Sequence, residues 1–452
     1  MLRTSALLAI SVVVGAACDR DRALPLVLVD AGAEQPPPDA SAPPPDLAQP
    51  KPCHLVADGD PVVTFQYPDP RDNWHSEGLL ASAAPGATRR VVQVGSVKLR
   101  FGGWDDDAIW AAELDVSRWP PTTVHAPTEF FVSMHTPAAM LEVAPGLYGL
   151  AWFWDNDGLG PQGIRYRAID ATSWTLRPDR FLVENARFFV TPVALGDGSG
   201  RFVTLTDQRG STSRALGLFG SDGSLVASQP LYESMVNADF SFGRTSSDVL
   251  AAVTKRSCST SDAGTTCDTT GVDLFRVDPK APGGALLQPI STVTTPIASR
   301  SIGSVRILSD QAEHHFLTWW ESGADRAVVY AMPLTATGRQ AGPVEVWWNG
   351  PSGAWPLGGS VGPLGVVYAV ATSAPTDLAA GRRDVHLLVR QLVADAPVEE
   401  TLFSTAYTGY AVGLVQLDAP RALVVGYSSY PDSDPSSGYG LLRRYACAED
   451  GR

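Results

Sequence analysis

Short apolar runs alternate with polar loops along most of the chain, and one unit recurs. The unit is an apolar strand, a polar loop and a second apolar strand, and both strands are almost continuously apolar. Such strands are typical of a sheet that is packed on both faces. Seven copies begin at Lys98, Tyr148, Phe202, Val249, Phe316, Val366 and Leu423.

Further short apolar segments flank several copies. One at Val305–Leu308 precedes the copy at Phe316, one at Val344–Trp348 follows that copy, and Val412–Leu417 precedes the last copy. Each unit therefore predicts four strands in order. The copies begin roughly 50 residues apart, which is the size of a four-stranded propeller blade.

The pattern predicts an all-β chain that folds as a seven-bladed β-propeller over residues 53–448. The last unit ends at Cys447 after three strands, and the apolar segment Pro61–Tyr67 is predicted to supply the missing outer strand. This ring closure resembles that of many propeller families. A pair of two-sheet sandwiches is the alternative architecture.

The first residues have the order of a secretory signal. Arg3 precedes the apolar run Ala6–Val14, which is too short to span a bilayer, and Gly15-Ala16-Ala17-Cys18 follows. The segment Val14–Cys18 resembles the lipobox of bacterial lipoproteins. That resemblance implies that residues 1–17 are removed and that Cys18 carries the lipid. An ordinary signal peptide with a chance cysteine is the alternative.

Residues 18–52 are rich in proline and nearly free of aromatic side chains. Such a segment cannot bury enough apolar surface to fold, so it is predicted to be a disordered tether. The expected location is the cell envelope, periplasmic or at the cell surface, with the lipid bilayer as a partner through Cys18.

Four cysteines remain after Cys18, and an even number in an oxidising compartment suggests two disulfides. Three pairings are open. The favoured pairing joins Cys258 to Cys267 across a short loop and Cys53 to Cys447 across the whole domain. A zinc site is the weaker alternative, because no Cys-x-x-Cys is present.

The formal charge of −14 argues against nucleic acid as a partner, since proteins that bind phosphate backbones present basic surfaces. Acidic residues cluster at Asp105–Asp107 and at Asp155 and Asp157, and both clusters are expected in equivalent loops. Asp-Asn-Asp-Gly is favoured as a turn, because Asp and Asn before Gly are standard turn formers, and calcium bound by alternating oxygens at Asp155 and Asp157 is the weaker alternative. No other cofactor is indicated.

Paired tryptophans occur at Trp319-Trp320 and Trp347-Trp348, with Trp355 nearby. They predict either packing between blades or a stacking platform for sugars. The adjacent His314 and His315 cannot point the same way on a strand. No zinc-protease motif or nucleophile elbow is present, so no catalytic residue is assigned.

These features favour a membrane-anchored lipoprotein whose propeller binds or scaffolds an envelope protein or glycan. The alternative function is hydrolysis or elimination of extracellular polysaccharide, with Asp105–Asp107 or Asp155 and Asp157 as the acid and base. A purely architectural spacer is a third hypothesis.

Overall fold

The computed structural model shows an all-β protein. It describes residues 53–66, 79–82, 90–101, 104–133, 138–154, 161–186, 190–207, 214–231, 238–261, 264–281, 285–294, 301–310, 314–323, 325–373, 383–390, 398–405, 412–417, 421–429 and 439–449. Thirty strands lie in these ranges and form seven antiparallel sheets.

The first three sheets, numbered as blades in chain order, are the following. Blade 1 contains β3 (Leu79–Ser82), β4 (Arg90–Phe101), β5 (Trp104–Asp115) and β6 (Thr122–Ser133). Blade 2 contains β7 (Ala138–Ala144), β8 (Leu147–Trp154), β9 (Gly163–Asp170), β10 (Thr175–Leu176) and β11 (Arg180–Glu184). Blade 3 contains β12 (Val193–Ala194), β13 (Phe202–Asp207), β14 (Arg214–Phe219) and β15 (Leu225–Pro230).

The remaining sheets follow the same order. Blade 4 contains β16 (Phe240–Arg244), β17 (Val249–Ser261), β18 (Gly264–Val277) and β19 (Leu287–Thr294). Blade 5 contains β20 (Ser301–Ser309), β21 (His315–Ser322), β22 (Arg326–Leu334) and β23 (Glu345–Pro351). Blade 6 contains β24 (Trp355–Gly362), β25 (Gly365–Ser373), β26 (Arg383–Arg390) and β27 (Val398–Thr405). Blade 7 contains β28 (Gly413–Leu417), β29 (Ala422–Ser429), β30 (Tyr439–Glu449) and the N-terminal strands β1 (Cys53–Ala57) and β2 (Val62–Gln66).

The seven sheets close into a ring. The first strands of neighbouring blades contact one another in a complete cycle, including the step from β28 of blade 7 to β3 of blade 1. The first strands therefore lie innermost and the last strands outermost. The molecule is a seven-bladed β-propeller, as the repeat pattern predicted.

The N-terminal strands complete the last blade. Both β1 and β2 pair with β30, so the predicted closure by the segment Pro61–Tyr67 is confirmed, and β1 adds a second closing strand. Cys447 is disulfide-bonded. Cys53 lies two residues before Leu55, the register partner of Cys447, so the predicted Cys53–Cys447 pairing joins neighbouring strands. That pairing stays a prediction.

The core is divided among the junctions between blades. In the described residues, seven buried apolar clusters occur, and each contains residues from two neighbouring blades. β17 shows why the inner strands are continuously apolar. Val249 and Ala251 pack toward blade 3, whereas Leu250 and Ala252 pack toward blade 5. Both faces of the strand are buried, so alternation with polar residues is lost.

The ring has two faces that differ in their turns. Because every sheet has the same antiparallel strand order, the turns between second and third strands lie on one face, here called the hairpin face. The other face, called the entry face, carries the turns between first and second strands and between third and fourth strands. On the entry face the Thr245 hydroxyl donates a hydrogen bond to the Ala336 carbonyl at 2.7 Å, which links turns of blades 4 and 5. Cys53 pairs with Glu449 at this end of blade 7.

Candidate functional site

The acidic residues expected in a loop of blade 1 lie in a strand. Asp105 and Asp107 belong to β5 and face Arg100 and Lys98 of β4 in the register. The loop expectation was wrong because the β4–β5 hairpin is longer than the apolar pattern indicates. Asp155 and Asp157 lie outside the described residues.

The tryptophan pairs follow the packing hypothesis. Trp319 and Trp347 are buried, and each ring contacts an aromatic neighbour, at 5.5 Å from Tyr330 and 5.3 Å from Phe316 between centroids. Their strand neighbours Trp320 and Trp348, together with Trp355 at the start of β24, are partly buried against clusters between blades. Rings committed to these junctions are not arranged as an exposed sugar platform.

His314 and His315 lie on the entry face of blade 5 and have separate partners, as the alternation of strand side chains requires. His315 is 2% exposed, and its Nδ1 lies 2.8 Å from the Ser309 hydroxyl. Burial lowers the pKa of His315, because the charged imidazolium loses hydration there. His314 pairs instead with Asp310, with 2.7 Å between Nδ1 and Oδ2.

A polar cluster joins blades 1 and 2, and sequence reasoning missed it. Its centre is Glu113 of β5, whose side chain is 1% exposed. Glu113 Oε1 lies 3.6 Å from Arg90 Nη1, and Oε2 lies 3.3 Å from Nε2 of His125 on β6. The one signal in the sequence is an acidic residue inside the apolar run Ala108–Leu114. A buried carboxylate of this kind requires a partner, so the interruption could have indicated a network.

Blade 2 contributes the other half of this cluster. Burial and the nearby Glu113 carboxylate raise the pKa of Tyr148, so its hydroxyl keeps its proton and can donate to Glu113. His125 Nε2 lies 3.2 Å from the Ala171 carbonyl, and the imidazole stacks on Trp174 at 4.7 Å. Trp174 has a φ of 52°, a conformation that is rare for a bulky residue.

This arrangement connects blades. Glu113 and Tyr148 are buried, whereas the side chains of His125 and Arg90 are 23% and 35% exposed. The carboxylate, the imidazole and the phenol therefore contact one another across the junction of blades 1 and 2. Among the described residues, no group of three or more potential ligands is placed to hold a metal ion.

In the part of the chain that the structure describes, the β4–β5 and β17–β18 hairpins extend past their pairing with the strands on either side. In blade 4, β16 pairs with β17 only over Val249–Val253, and β19 pairs with β18 only over Gly271–Val277. The β17–β18 pairing itself continues to Ser261 and Gly264. In blade 1, β3 pairs with β4 only over Val91–Val94, whereas β4 continues to Phe101.

The predicted Cys258–Cys267 disulfide fits the extended hairpin of blade 4. The two cysteines are direct register partners in β17 and β18. Facing residues of an antiparallel pair have Cα atoms about 4.5–5.5 Å apart, which is within the range of a disulfide. The register thus supports the pairing, which stays a prediction.

No part of the chain that the structure describes forms a helix long and apolar enough to cross a bilayer. No protein-family model matches the sequence, and no curated protein matches it either. Solved structures do match. An ulvan lyase of a new polysaccharide lyase family, bound to a saccharide, aligns with a TM-score of 0.50 and 10% identity over 86% of this chain and 97% of that chain.

Two further structures align less closely. The β-propeller domain of the Trilobed protease from Pyrococcus furiosus has a TM-score of 0.36 and 10% identity over 75% of this chain and 96% of that domain. The acylaminoacyl peptidase of Pyrococcus horikoshii has a TM-score of 0.36 and 9% identity over 79% and 58%. At these identities the likeness concerns the fold alone, and the fold is the β-propeller.

Proposed function

We propose that the protein is a lipid-anchored lipoprotein of the cell envelope whose propeller is a binding module for an envelope protein or glycan. The observation that carries the proposal is the segment Val14–Cys18 at the end of an apolar signal, followed by the proline-rich residues 19–52. A lipid on Cys18 would hold the chain to the bilayer, and the proline-rich segment would separate the ring from it.

The position of Cys53 supports this role. The chain enters the ring at Cys53 on the entry face, so the hairpin face is at the opposite end of every blade. A ring that is held from one face leaves the other available to a partner. The turns of the β4–β5 and β17–β18 hairpins lie on that face and would be available to a partner.

The burial of Glu113 and Tyr148 favours binding over catalysis. Among the described residues, the carboxylate of Glu113, the imidazole of His125 and the phenol of Tyr148 contact one another at the junction of blades 1 and 2. Proton transfer to or from a polysaccharide requires a catalytic group within hydrogen-bond reach of the substrate. Glu113 and Tyr148 do not provide that access.

The experiment is fractionation and affinity capture from the source cells with the full-length chain and its Cys18→Ala variant. The wild-type chain is expected in the membrane fraction with a bound envelope component, and Cys18→Ala in the soluble fraction. Membrane retention of Cys18→Ala would contradict lipid anchoring. Depolymerisation of an envelope polysaccharide by the purified chain would contradict the binding role.

A further inference from the structure

We propose that a cavity on blade 4 binds an acidic sugar, a ring that carries a carboxylate and hydroxyl groups, as one unit of an envelope glycan. The inference rests on the proposed function and names the chemistry of its ligand. The cavity has a volume of about 350 Å³, and strands β17, β18 and β19 line it. Sites that hold small ligands have volumes of this order.

A β-bulge between β18 and β19 explains why a cavity forms here. Leu274 pairs with Ser291 and the next residue, Phe275, pairs with Pro289, so Ile290 is an extra residue between them. A bulge bends its strand and changes the direction of the side chains, and bulges are over-represented beside active sites. All three residues of β19 at this bulge line the cavity. The irregular pairing therefore accounts for the space beside the sheet.

The charged residues of the cavity lie on one side of blade 4. Asp273 faces Thr292 on β19, and Lys255 faces Gly271, two residues before Asp273 on β18. Because side chains alternate along a strand, Lys255, Asp273 and Phe275 point to the same side of the sheet. Phe275 packs in the cluster between blades 3 and 4, so this is the side that faces blade 3.

The two charges of the cavity do not neutralise each other. Lys255 is exposed, and among the described residues no carboxylate forms an ion pair with it. Asp273 accepts a hydrogen bond from the Thr292 hydroxyl, with 2.6 Å between Oγ1 and Oδ1. The ammonium group can therefore pair with the carboxylate of a ligand. The second carboxylate oxygen of Asp273 and the hydroxyl of Ser291 can bind the hydroxyl groups of a sugar ring.

This combination of groups distinguishes an acidic sugar from simpler ligands. A neutral sugar offers no charge to Lys255, and an inorganic anion is repelled by Asp273. A sugar ring with a carboxylate satisfies both residues, and its C–H face can pack on the apolar side chains of Pro289 and Ile290. An amino acid carries an ammonium group for Asp273 but no ring of hydroxyls, and its binding is the competing outcome of the test.

The test is calorimetric titration of the purified full-length chain, in non-ionic detergent, with trisaccharides of glucuronic, galacturonic and mannuronic acid. We expect at least one of them to bind, with an affinity that falls as the salt concentration rises. Methyl esterification of its carboxylates removes the charge and keeps the ring hydroxyls. The ester should bind at least about tenfold more weakly, because it loses the charge-assisted contact with Lys255.

Two variants and a matched control assign the binding to this cavity. Lys255→Ala should weaken binding of the acidic trisaccharide at least about tenfold and change binding of the ester little, since the ester offers no charge to this position. Asp273→Asn should weaken binding of both forms, since both have hydroxyl groups. Lys280→Ala, an exposed lysine in the entry-face turn after β18, should leave both unchanged. Circular dichroism establishes that each variant is folded.

Three results would overturn the inference. The first is that none of the three trisaccharides binds the folded wild-type chain. The second is that Lys255→Ala binds the acidic trisaccharide as tightly as the wild-type chain does. The third is that free glycine, and no acidic trisaccharide, binds in a way that depends on Lys255 and Asp273.

Failure of this inference can be told apart from failure of the proposed function. If a Lys255→Ala chain still captures an envelope component as the wild-type chain does, the module binds elsewhere and only the inference fails. If an acidic trisaccharide binds in the cavity but Cys18→Ala remains in the membrane fraction, the inference stands and the anchoring fails.

Discussion

Trp110 shows how single residues fix the spacing of the blades. Its indole is 1% exposed and lies over Gly95 on its own blade and Gly440 on blade 7. A Cβ at Gly440 would lie 2.7 Å from the ring, and one at Gly95 would lie 2.5 Å from it. Both positions therefore need glycine for close approach, rather than for an unusual backbone angle.

We expect Gly440→Ala to lower the free energy of unfolding by about 1–3 kcal/mol, the usual cost of overpacking a core. Chemical denaturation measures this change. Gly342→Ala, where the nearest atom is 3.2 Å away on Pro333, is the control and should cost less. Equal stability of wild type and Gly440→Ala would contradict the packing of Trp110 against blade 7.

His315 predicts a pH dependence of stability. Its folded-state pKa is lowered by burial, so the unfolded chain binds a proton more readily than the folded chain. The stability that His315 contributes is therefore present above the ordinary histidine pKa of 6.5 and is lost as the pH falls below that value.

The melting temperature of His315→Gln should fall less between pH 7 and pH 5 than that of wild type. Parallel profiles for His315→Gln and wild type would contradict the prediction.

At the scale of elements, β1 is the strand that makes the ring complete. Leu55 is 7% exposed and packs in the cluster between blades 6 and 7, whereas its neighbour Val56 is 53% exposed. Leu55→Ala should therefore cost about 2–4 kcal/mol, and Val56→Ala less than about 0.5 kcal/mol. Urea denaturation distinguishes the two. Similar costs for both variants would show that β1 does not dock as described.

The disulfides are a second prediction at this scale. Non-reducing peptide mapping should yield one peptide pair that joins Cys258 to Cys267 and another that joins Cys53 to Cys447. The first closes a short hairpin and the second ties the closing strand to β30. A link from Cys53 to Cys258 or Cys267 would contradict the ring closure.

For the whole molecule, periodicity was sufficient to predict the architecture. The seven apolar strand pairs became the second and third strands of seven blades, because strands buried on both faces have an apolar pattern that sequence shows directly. The outermost strands were harder to predict. β15, for example, has exposed Leu225 and Val226 and no buried face to impose a pattern.

The polar sites could not be predicted to the same degree. Glu113, His125 and Tyr148 come from three strands in two blades, and only the fold brings them together. The lengths of the β4–β5 and β17–β18 hairpins were also hidden, because their ends are polar and carry no apolar period. The sequence therefore predicted the seven-bladed ring well, but it predicted poorly the polar cluster around Glu113 and the lengths of the two hairpins.

The central proposal is that this ring is held to a membrane through lipid on Cys18, and mass spectrometry of the N-terminal peptide of the mature protein tests it most directly. The account predicts a mature chain that begins at Cys18 and carries the mass of a diacylglyceryl group. An unmodified Cys18, or a mature chain that begins at another residue, would contradict it.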